Sequence, residues 1–535
     1  MTPAGEPQSS VRADVRTSQT PNESSRTRYD AVVIGAGLNG LTAATALARA
    51  GRKIVVLEQR AAPGGLAAGE EFHPGYRSAG LLHDTSGLLS EAVEQLDLAR
   101  HGLRRADQLP SVYCPARGDG LLLHHDPGRA AASLNGDAAH YAHYRALLSR
   151  LRPFARTLFA DLPPDWLAEG LTDLRTLLSR GLAFRRLGKV DMMELLRIAP
   201  MSLNDWLAEQ FDNPQLQAAL ALPALHGCFA GPWSPGTAGP LLRHETLAGG
   251  AVAGGPAAIV DALTAAARSE GVDLRTSKPV AKVVIENGRA SGVACEDGVT
   301  IHARIVVSSC DPKQTLLRFV DVKEWPPEFA QHIRAYRTRS LTAKVNLALN
   351  RPLRFRARPD LDVEFARTAQ SLLELERAFD AAKYGHFSDT PVLDIYVPTV
   401  SNPALAPPGH AVVSILVFGV PYDLHGGWTD ARRKELGDAV VGRLSDCAKD
   451  LESSVVAREV LAPPDIESRY GTTGGHIYHG EHGLDQLLVR PAPQCARYAT
   501  PIAGLYLCGS GTHPGGGLTC APGLIAARTV LTARR

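Results

Sequence analysis

The chain reads YDAVVIGAGLNG from Tyr29 to Gly40, and this stretch decides the fold. Its first half is a β-branched apolar run, which is typical of a buried parallel strand. A G-x-G-x-x-G turn follows directly, and a helical pattern from Leu41 to Arg49 comes next, with Gly51 as its expected end. A second apolar run, Ile54 to Leu57, ends at Glu58. The order strand, glycine turn, helix, strand and acid predicts a dinucleotide-binding unit at the start of an α/β fold.

Each residue type in this unit has a physical task. Gly35 permits the tight turn, Gly37 lets the backbone approach a pyrophosphate, and Gly40 lets the helix pack against the strand. Leu38 lies in the same turn, before a helix N-terminus that attracts phosphate. Glu58 lies where a carboxylate accepts hydrogen bonds from ribose hydroxyls and disfavours a 2′-phosphate. The predicted ligand is therefore FAD or NAD rather than NADP, and the alternative is a glycine-rich turn without a ligand.

Residues 59–66 read QRAAPGGL, with a Gly-Gly pair soon after the ribose acid. Here the chain resembles the FAD-dependent oxidoreductases of the phytoene (carotenoid) desaturase and amine oxidase-like superfamily, and most closely the phytoene-desaturase-like branch. The resemblance implies that the pair crosses the pyrophosphate and ribityl region of FAD. Many members have an arginine directly after the pair, whereas this chain has a leucine. The residues that the resemblance assigns to FAD in this segment are Gln59, Arg60, Gly64, Gly65 and Leu66.

Two later segments extend the resemblance. Strand-like runs between residues 272 and 307 predict a β-meander that returns to a buried strand, and the alternative is an ordinary three-stranded sheet. In the family, the backbone at the position of Val280 touches the adenine. Near the C-terminus, a strand, a glycine loop that includes HPGGG at residues 513–517, and a helix follow one another. In that tract the resemblance assigns cofactor contacts to Gly509, Ser510, Gly517 and Leu518, with the serine in place of the usual acid.

These segments together predict an α/β protein. The expected parts are a Rossmann-type FAD-binding domain with a parallel sheet and a β-meander, an α+β substrate domain and a helical cap. Three strand-like runs indicate a mostly antiparallel substrate sheet: 343–349, 392–397 and 411–419. The predicted division of the chain is a disordered tail at 1–28, a discontinuous FAD-binding domain at 29–100, 245–315 and 495–535, a helical cap or substrate region at 101–244, and an antiparallel-sheet substrate domain at 316–494.

Composition limits the classes of partner. Lys and Arg total 57 against 55 for Asp and Glu, so we expect no nucleic-acid partner. The eight cysteines form no C-x-x-C pair, which argues against a zinc ribbon or a redox dithiol and suits a reducing cytoplasm. We expect a cytoplasmic protein with an ordinary cap helix at residues 182–186, and peripheral contact of this LAFRR segment with a membrane stays open as the alternative. The sequence leaves the oligomeric state open.

The segment GGHIYHGEH, residues 474–482, concentrates histidines. We predict His476 and His479 as candidate acid/base residues beside the flavin, and the alternative is a polar loop next to the cofactor. The H-x-x-H spacing also occurs in zinc sites, but no further ligands are evident and we expect no metal. His83, which precedes Asp84, either faces the flavin or stabilises a loop.

The resemblance implies an FAD-dependent enzyme that dehydrogenates or desaturates C–C or C–N bonds by hydride transfer. The expected substrate is a lipophilic or natural-product small molecule. Two alternatives stay open: a flavin-dependent isomerase or saturase with no net oxidation, and a non-redox lipid- or protein-binding relative of the same fold. No second G-x-G-x-x-G unit is evident, which argues against direct reduction by NAD(P)H.

Overall fold

A computed structural model of the protein describes residues 29–116, 118–164 and 171–533, with side chains described from residue 176 onward in the last range. Within this part of the chain the strands are β1 (Tyr29–Ile34), β2 (Ile54–Leu57), β3 (Glu71–His73), β4 (Tyr76–Arg77), β5 (Val112–Cys114), β6 (Leu121–Leu123), β7 (Asp273–Arg275), β8 (Val280–Glu286), β9 (Arg289–Cys295), β10 (Thr300–Ser308), β11 (Thr342–Leu349), β12 (Phe365–Arg367), β13 (Val392–Tyr396), β14 (Ala411–Phe418), β15 (Val455–Leu461) and β16 (Leu505–Leu507).

The helices alternate with these strands and cluster in the first half of the chain. They are α1 (Leu38–Arg49), α2 (Ser90–Gln95), α3 (Pro127–Leu134), α4 (Ala138–Phe159), α5 (Leu171–Arg186), α6 (Gly188–Ile198), α7 (Leu203–Gln210), α8 (Pro214–Leu225), α9 (Ala238–Leu247), α10 (Gly255–Ser269), α11 (Pro327–Ala335), α12 (Leu372–Lys383), α13 (Asp430–Ser445), α14 (Leu451–Ser454), α15 (Pro463–Tyr470), α16 (Leu484–Leu487) and α17 (Ala521–Thr532).

The first sheet is built around β1, which is almost wholly buried, as its β-branched sequence predicts. Strands β7, β2, β1, β10 and β16 lie side by side and pair in parallel. The start of β10 pairs with β9, and β9 pairs with β8, both antiparallel, so the meander and the parallel sheet share one strand. The predicted meander therefore comprises β8 to β10, while β7 lies outside it, beside β2. Helices α10 and α17 pack on α1.

The second sheet has the order β15-β11-β14-β13-β12-β5-β6. All its neighbours are antiparallel except β12 and β5. The central strands β11, β13 and β14 are buried along their whole length, so both faces of the sheet are covered. The three strand-like runs of the sequence correspond to these central strands, and the prediction of a mostly antiparallel sheet is confirmed.

Helices α3 to α9 occupy most of residues 101–244, where the sequence predicts a helical region. The same range also contributes β5 and β6, which form one edge of the second sheet, so the range is not wholly helical. Tyr144, Trp206 and Leu216 are among the buried side chains that hold these helices together. The α/β fold class is confirmed. No helix in the described part of the chain is long and apolar enough to span a membrane.

Candidate active site

A cavity of about 310 Å³ lies at the carboxyl ends of β1, β2 and β10. Ligands of open α/β sheets bind at this edge, where successive connections leave on opposite faces. Thirteen of the fifteen predicted cofactor residues line the cavity: Gly35, Gly37, Leu38, Glu58, Gln59, Arg60, Gly64, Gly65, Leu66, Val280, Ser510, Gly517 and Leu518. Segments separated by hundreds of residues in sequence therefore meet around one space.

The first two glycine segments touch each other across the cavity floor. The Gly64 amide donates to the Ala36 carbonyl at 2.8 Å, and Gly37 forms a parallel bridge with Gly64. A Cβ at Gly65 would lie 3.0 Å from the Gly37 Cα, and Gly65 has φ of +56°. Glycine tolerates both this close approach and this positive φ, so no side chain covers the backbone where a pyrophosphate would approach.

Glu58 is buried at the end of β2 with both carboxylate oxygens engaged. One oxygen accepts the Ala36 amide at 2.8 Å and the other accepts the Arg60 amide at 2.9 Å. Each carboxylate oxygen has a second acceptor position. The two turns thus orient a carboxylate that lines the cavity and retains capacity to accept ribose hydroxyls.

The other two predicted residues, Gly40 and Gly509, do not line the cavity but allow close packing of the segments next to it. A Cβ at Gly40 would lie 2.0 Å from the Gly35 carbonyl oxygen, and one at Gly509 would lie 2.5 Å from the Ser309 carbonyl oxygen. Both glycines therefore permit close packing, which agrees with the task predicted for Gly40. Gly509 lies next to Ser510, whose hydroxyl accepts a hydrogen bond from the Asn39 side chain at 3.2 Å.

His479 lines this cavity, whereas His476 does not. His476 Nδ1 accepts the amides of Tyr478 at 3.1 Å and Gly480 at 3.2 Å, so this side chain shapes its own loop. His479 Nδ1 is buried without a hydrogen-bond partner among the described residues. Burial lowers the pKa of both imidazoles, to about 3 for His476, so each is neutral at pH 7. The structure thus brings one of the two candidate acid/base residues to the first cavity.

A second cavity, of about 470 Å³, adjoins the first. Leu82, Gly517 and Leu518 line both cavities, so these three residues form the boundary between them. The second cavity lies against the second sheet and the helices α4, α8 and α9, which contribute side chains such as Tyr396 and Tyr141. A compound held there would lie next to the end of the first cavity that the C-terminal glycine loop forms.

The wall of the second cavity combines apolar side chains with ion pairs. Asp394 lies 3.3 Å from Arg367 and 3.5 Å from His226, and Glu245 pairs with Arg145. Burial alone would raise the pKa of Asp394, but Arg367 and His226 hold that pKa below its usual range. The charges in these pairs are largely compensated, and the cavity presents both polar and apolar surface.

Arg243 is a buried cation of this wall that has no carboxylate partner among the described residues. Its Nε donates to the Pro514 carbonyl at 3.0 Å and one Nη to the Gly516 carbonyl at 2.9 Å. His482 Nε2 accepts the Gly516 amide at 3.1 Å. Helix α9 and the 474–482 segment thereby fix the C-terminal glycine loop at the cavity boundary.

His83 and Lys344 are buried polar groups beside Leu81 and Leu82 that the motifs do not identify. His83 lines the second cavity, is 4% exposed, and has a buried Nδ1 without a partner among the described residues. Burial and the nearby Lys344 lower the pKa of His83 to about 3. Lys344 donates to the Leu81 carbonyl at 2.9 Å, and burial lowers its own pKa to about 7. His83 lines the second cavity rather than the first, so it does not face the predicted flavin site directly, and it forms no ion pair with Asp84.

The sequence could have singled out Lys344, because a charged residue inside an apolar run such as that of β11 is unusual. His83 had no comparable signal beyond its position after the Gly-Gly segment. The described residues contain no cluster of three or more His, Cys, Asp or Glu that could hold a metal ion. All eight cysteines are free.

The fold and the first cavity define a dinucleotide-binding protein, and a second cavity adjoins the cofactor cavity. Residues 38–530 match the family of flavin-containing amine oxidoreductases, and the chain belongs to that family. The resemblance to the amine oxidase and carotenoid desaturase superfamily is thereby confirmed, and the cofactor is FAD. The unpartnered His479 nitrogen, the bare glycine contact and the oriented Glu58 carboxylate fit this cofactor.

The similarity to known proteins extends over almost the whole chain. A mouse protein, pyridine nucleotide-disulfide oxidoreductase domain-containing protein 2, is 34% identical over 94% of this chain and 93% of its own length. A limonene dehydrogenase subunit from Castellaniella defragrans is 28% identical over 94% of each chain. The solved structure of an oxidoreductase from Methanosarcina mazei is similar in fold, with a TM-score of 0.57 and 16% identity over 95% of this chain and all of that one.

Proposed function

We propose that the protein uses FAD to dehydrogenate a small organic molecule bound in the second cavity. The observation that supports this proposal is the shared boundary of the two cavities at Leu82, Gly517 and Leu518. Hydride transfer needs contact between the reacting carbon and the flavin. A substrate cavity that opens directly onto the cofactor cavity satisfies this requirement.

In this proposal a saturated C–C or C–N bond loses a hydride and a proton. FAD supplies the hydride acceptor when it is bound. The glycine contact at Gly37 and Gly65 admits the pyrophosphate, and Glu58 accepts the ribose hydroxyls. The C-terminal loop, held by Arg243 and His482, would lie where the cofactor and the substrate meet, because its Gly517 and Leu518 line both cavities.

His83 is proposed as a group that holds the substrate. Because its pKa is lowered to about 3, the imidazole is neutral over the physiological range and can accept or donate a hydrogen bond. Its Nδ1 lacks a partner within the described part of the protein, so binding a polar group would satisfy it.

The second cavity favours a substrate with an apolar body and at least one polar group. Apolar residues such as Leu220 and Phe365 line it together with the Asp394 and Glu245 ion pairs. The similarity to the Castellaniella relative, a limonene dehydrogenase subunit, supports dehydrogenation of a largely apolar compound. The substrate class in this proposal therefore stays lipophilic but includes a polar end.

The test begins with the visible spectrum of the purified protein and identification of the cofactor that heat releases. The holoprotein is then mixed anaerobically with amines, terpenoids and carotenoid-like compounds, and loss of flavin absorbance is followed. We expect one class to bleach the flavin and to yield a product two hydrogens poorer. A product of unchanged composition would instead indicate isomerisation. A protein that neither binds FAD nor takes it up would overturn the redox proposal.

A further inference from the structure

Helices α5 and α6 expose an unusual number of large apolar side chains. Five of them, which we call the α5–α6 apolar face, are Leu178, Leu182, Val190, Met193 and Leu196, with exposed fractions of 63%, 50%, 75%, 58% and 59%. Val190, Met193 and Leu196 are spaced three residues apart on α6, so they lie along one side of that helix. Exposed apolar side chains that occur together on one surface mark a contact with a partner or a membrane.

The connection between the two helices is basic. Arg185, Arg186 and Lys189 are exposed and form no ion pair with a described residue. The acids of α6 are already paired, Asp191 with Arg150 at 2.8 Å and Glu194 with Arg197 at 3.0 Å. The apolar face is thus bordered by positive charge that the described acids do not compensate.

We propose that the α5–α6 apolar face docks the protein on an anionic lipid surface. Apolar side chains on a helix surface enter the boundary between headgroups and acyl chains, and neighbouring cations bind anionic headgroups. The apolar face and the basic connection supply these two components side by side. No spanning helix is needed, which agrees with the described part of the chain.

Two other occupants fit less well. Residues 1–28 contain no Leu, Ile, Phe, Trp or Tyr, and they have four arginines against three acids, so they offer little apolar surface and no net negative charge. A second copy of the chain would bring Arg185, Arg186 and Lys189 toward the same residues of its partner, which like-charge repulsion disfavours. An anionic membrane complements both the apolar side chains and the cations.

The proposed docking surface is connected to the second cavity through α4. Phe154 of α4 packs against Phe184 of α5, with ring centroids 5.3 Å apart, and Arg150 of α4 holds α6. The same helix lines the second cavity with Tyr141 and Arg145. Docking would therefore place the bilayer on the outer side of a helix layer whose inner side faces the proposed substrate site.

Co-sedimentation of the holoprotein with extruded vesicles tests the proposal without a substrate. The probes are vesicles of phosphatidylcholine alone and vesicles with about one third phosphatidylglycerol. We expect binding to the anionic vesicles that weakens as salt is added. A Leu182→Glu/Met193→Glu variant should bind at least tenfold more weakly, and replacing Arg185, Arg186 and Lys189 by Ser should weaken binding roughly fivefold for each cation removed.

The matched control is Leu373→Glu/Tyr384→Glu, which changes exposed apolar residues of α12 that are 42% and 70% exposed. This control should bind vesicles like the wild type, and all variants should keep the wild-type flavin spectrum and melting temperature. Equal binding of wild type and the α5–α6 variants, equal binding to both lipid compositions, or no binding at all would overturn the proposal. Self-association that the Leu182→Glu/Met193→Glu change abolishes would overturn it in favour of a second copy. None of these outcomes bears on the redox proposal, because flavin bleaching is measured separately.

Discussion

The two adjoining cavities are built in different ways. The first is lined by short segments, each recognisable from its own local pattern, such as the turn at residues 35–40 and the Gly-Gly pair at 64–65. The second is lined by single residues from helices and strands far apart in the chain, such as Tyr141, His226 and Tyr396. A dinucleotide in the first cavity would contact mainly backbone, which constrains the sequence locally, whereas a compound in the second cavity would contact side chains that only tertiary packing brings together.

The largest expected effect concerns the packing behind the first cavity. Gly40→Ala would place a Cβ about 2.0 Å from the Gly35 carbonyl oxygen, so α1 must move away from the glycine turn. We expect a loss of about 3 kcal/mol or more in the free energy of unfolding, and a protein purified without FAD. Urea unfolding of the apoprotein and the flavin absorbance of the purified protein measure the two effects.

The control for this change is Gly442→Ala, because Gly442 lies in helix α13 and an added Cβ meets no atom within 4 Å. Alanine is favoured over glycine inside a helix, so we expect unchanged or slightly higher stability and a normal flavin content. A Gly40→Ala protein that keeps FAD and wild-type stability would contradict the close packing described for the first cavity.

The next largest effect concerns the buried amine of Lys344. Lys344 has a pKa lowered to about 7, below its value in the unfolded chain. Between pH 7 and about 10.4 the unfolded state therefore binds more protons at this residue, and the stability that it contributes rises with pH across that window. Lys344→Met removes the buried amine, so we expect higher stability at pH 7, on the order of 3 kcal/mol, and a smaller rise toward pH 9.5.

Urea unfolding at pH 7 and pH 9.5 measures this difference. Lys449→Met is the matched control, because Lys449 is exposed and its replacement should leave the pH dependence unchanged. A Lys344→Met variant with the same pH dependence as the wild type would show that burial does not displace the titration of this amine.

The sequence predicts the first cavity better than the second, because the first is built from local motifs. The glycine turns, Glu58 and the central strands were predictable because each depends on a local pattern of residue types. The strands β5 and β6 were not, since each has only three residues and their place in the second sheet depends on the pairing of β5 with the distant strand β12. The tasks of His476 and His83 were not predictable either, because the direction of a loop side chain depends on tertiary packing.

A third prediction concerns the substrate side of the boundary. His83→Leu removes the proposed hydrogen-bonding group while keeping an apolar side chain of similar size. A polar group of the substrate would then be buried without a partner, and we expect the second-order rate constant for anaerobic flavin bleaching to fall roughly thirtyfold. The dissociation constant of FAD should stay within about twofold of the wild-type value, since His83 does not line the first cavity.

Stopped-flow mixing with the compound that bleaches the wild-type flavin measures this rate constant. His143→Leu, on the exposed side of α4, is the control and should bleach at the wild-type rate. Because His83 has a pKa of about 3, we expect the ratio of wild-type and variant rates to be constant between pH 6 and pH 9. A ratio that changes across this range would contradict the role of His83 as a neutral hydrogen-bonding group.

The smallest expected effect concerns the ribose end of the first cavity. Glu58→Gln keeps one acceptor oxygen, but its amide nitrogen replaces an oxygen that now accepts the Ala36 or the Arg60 amide. One backbone donor and one ribose hydroxyl lose a charged acceptor, and we expect FAD to bind roughly tenfold more weakly. Fluorescence titration of the apoprotein with FAD measures this change, and Glu452→Gln, an exposed residue, is the control.

Bleaching of the FAD-saturated Glu58→Gln variant should match the wild type, because Glu58 lines the first cavity and not the second. A variant that binds FAD normally but bleaches slowly would show that Glu58 acts on the substrate reaction rather than on FAD binding. The cofactor would then need a different position.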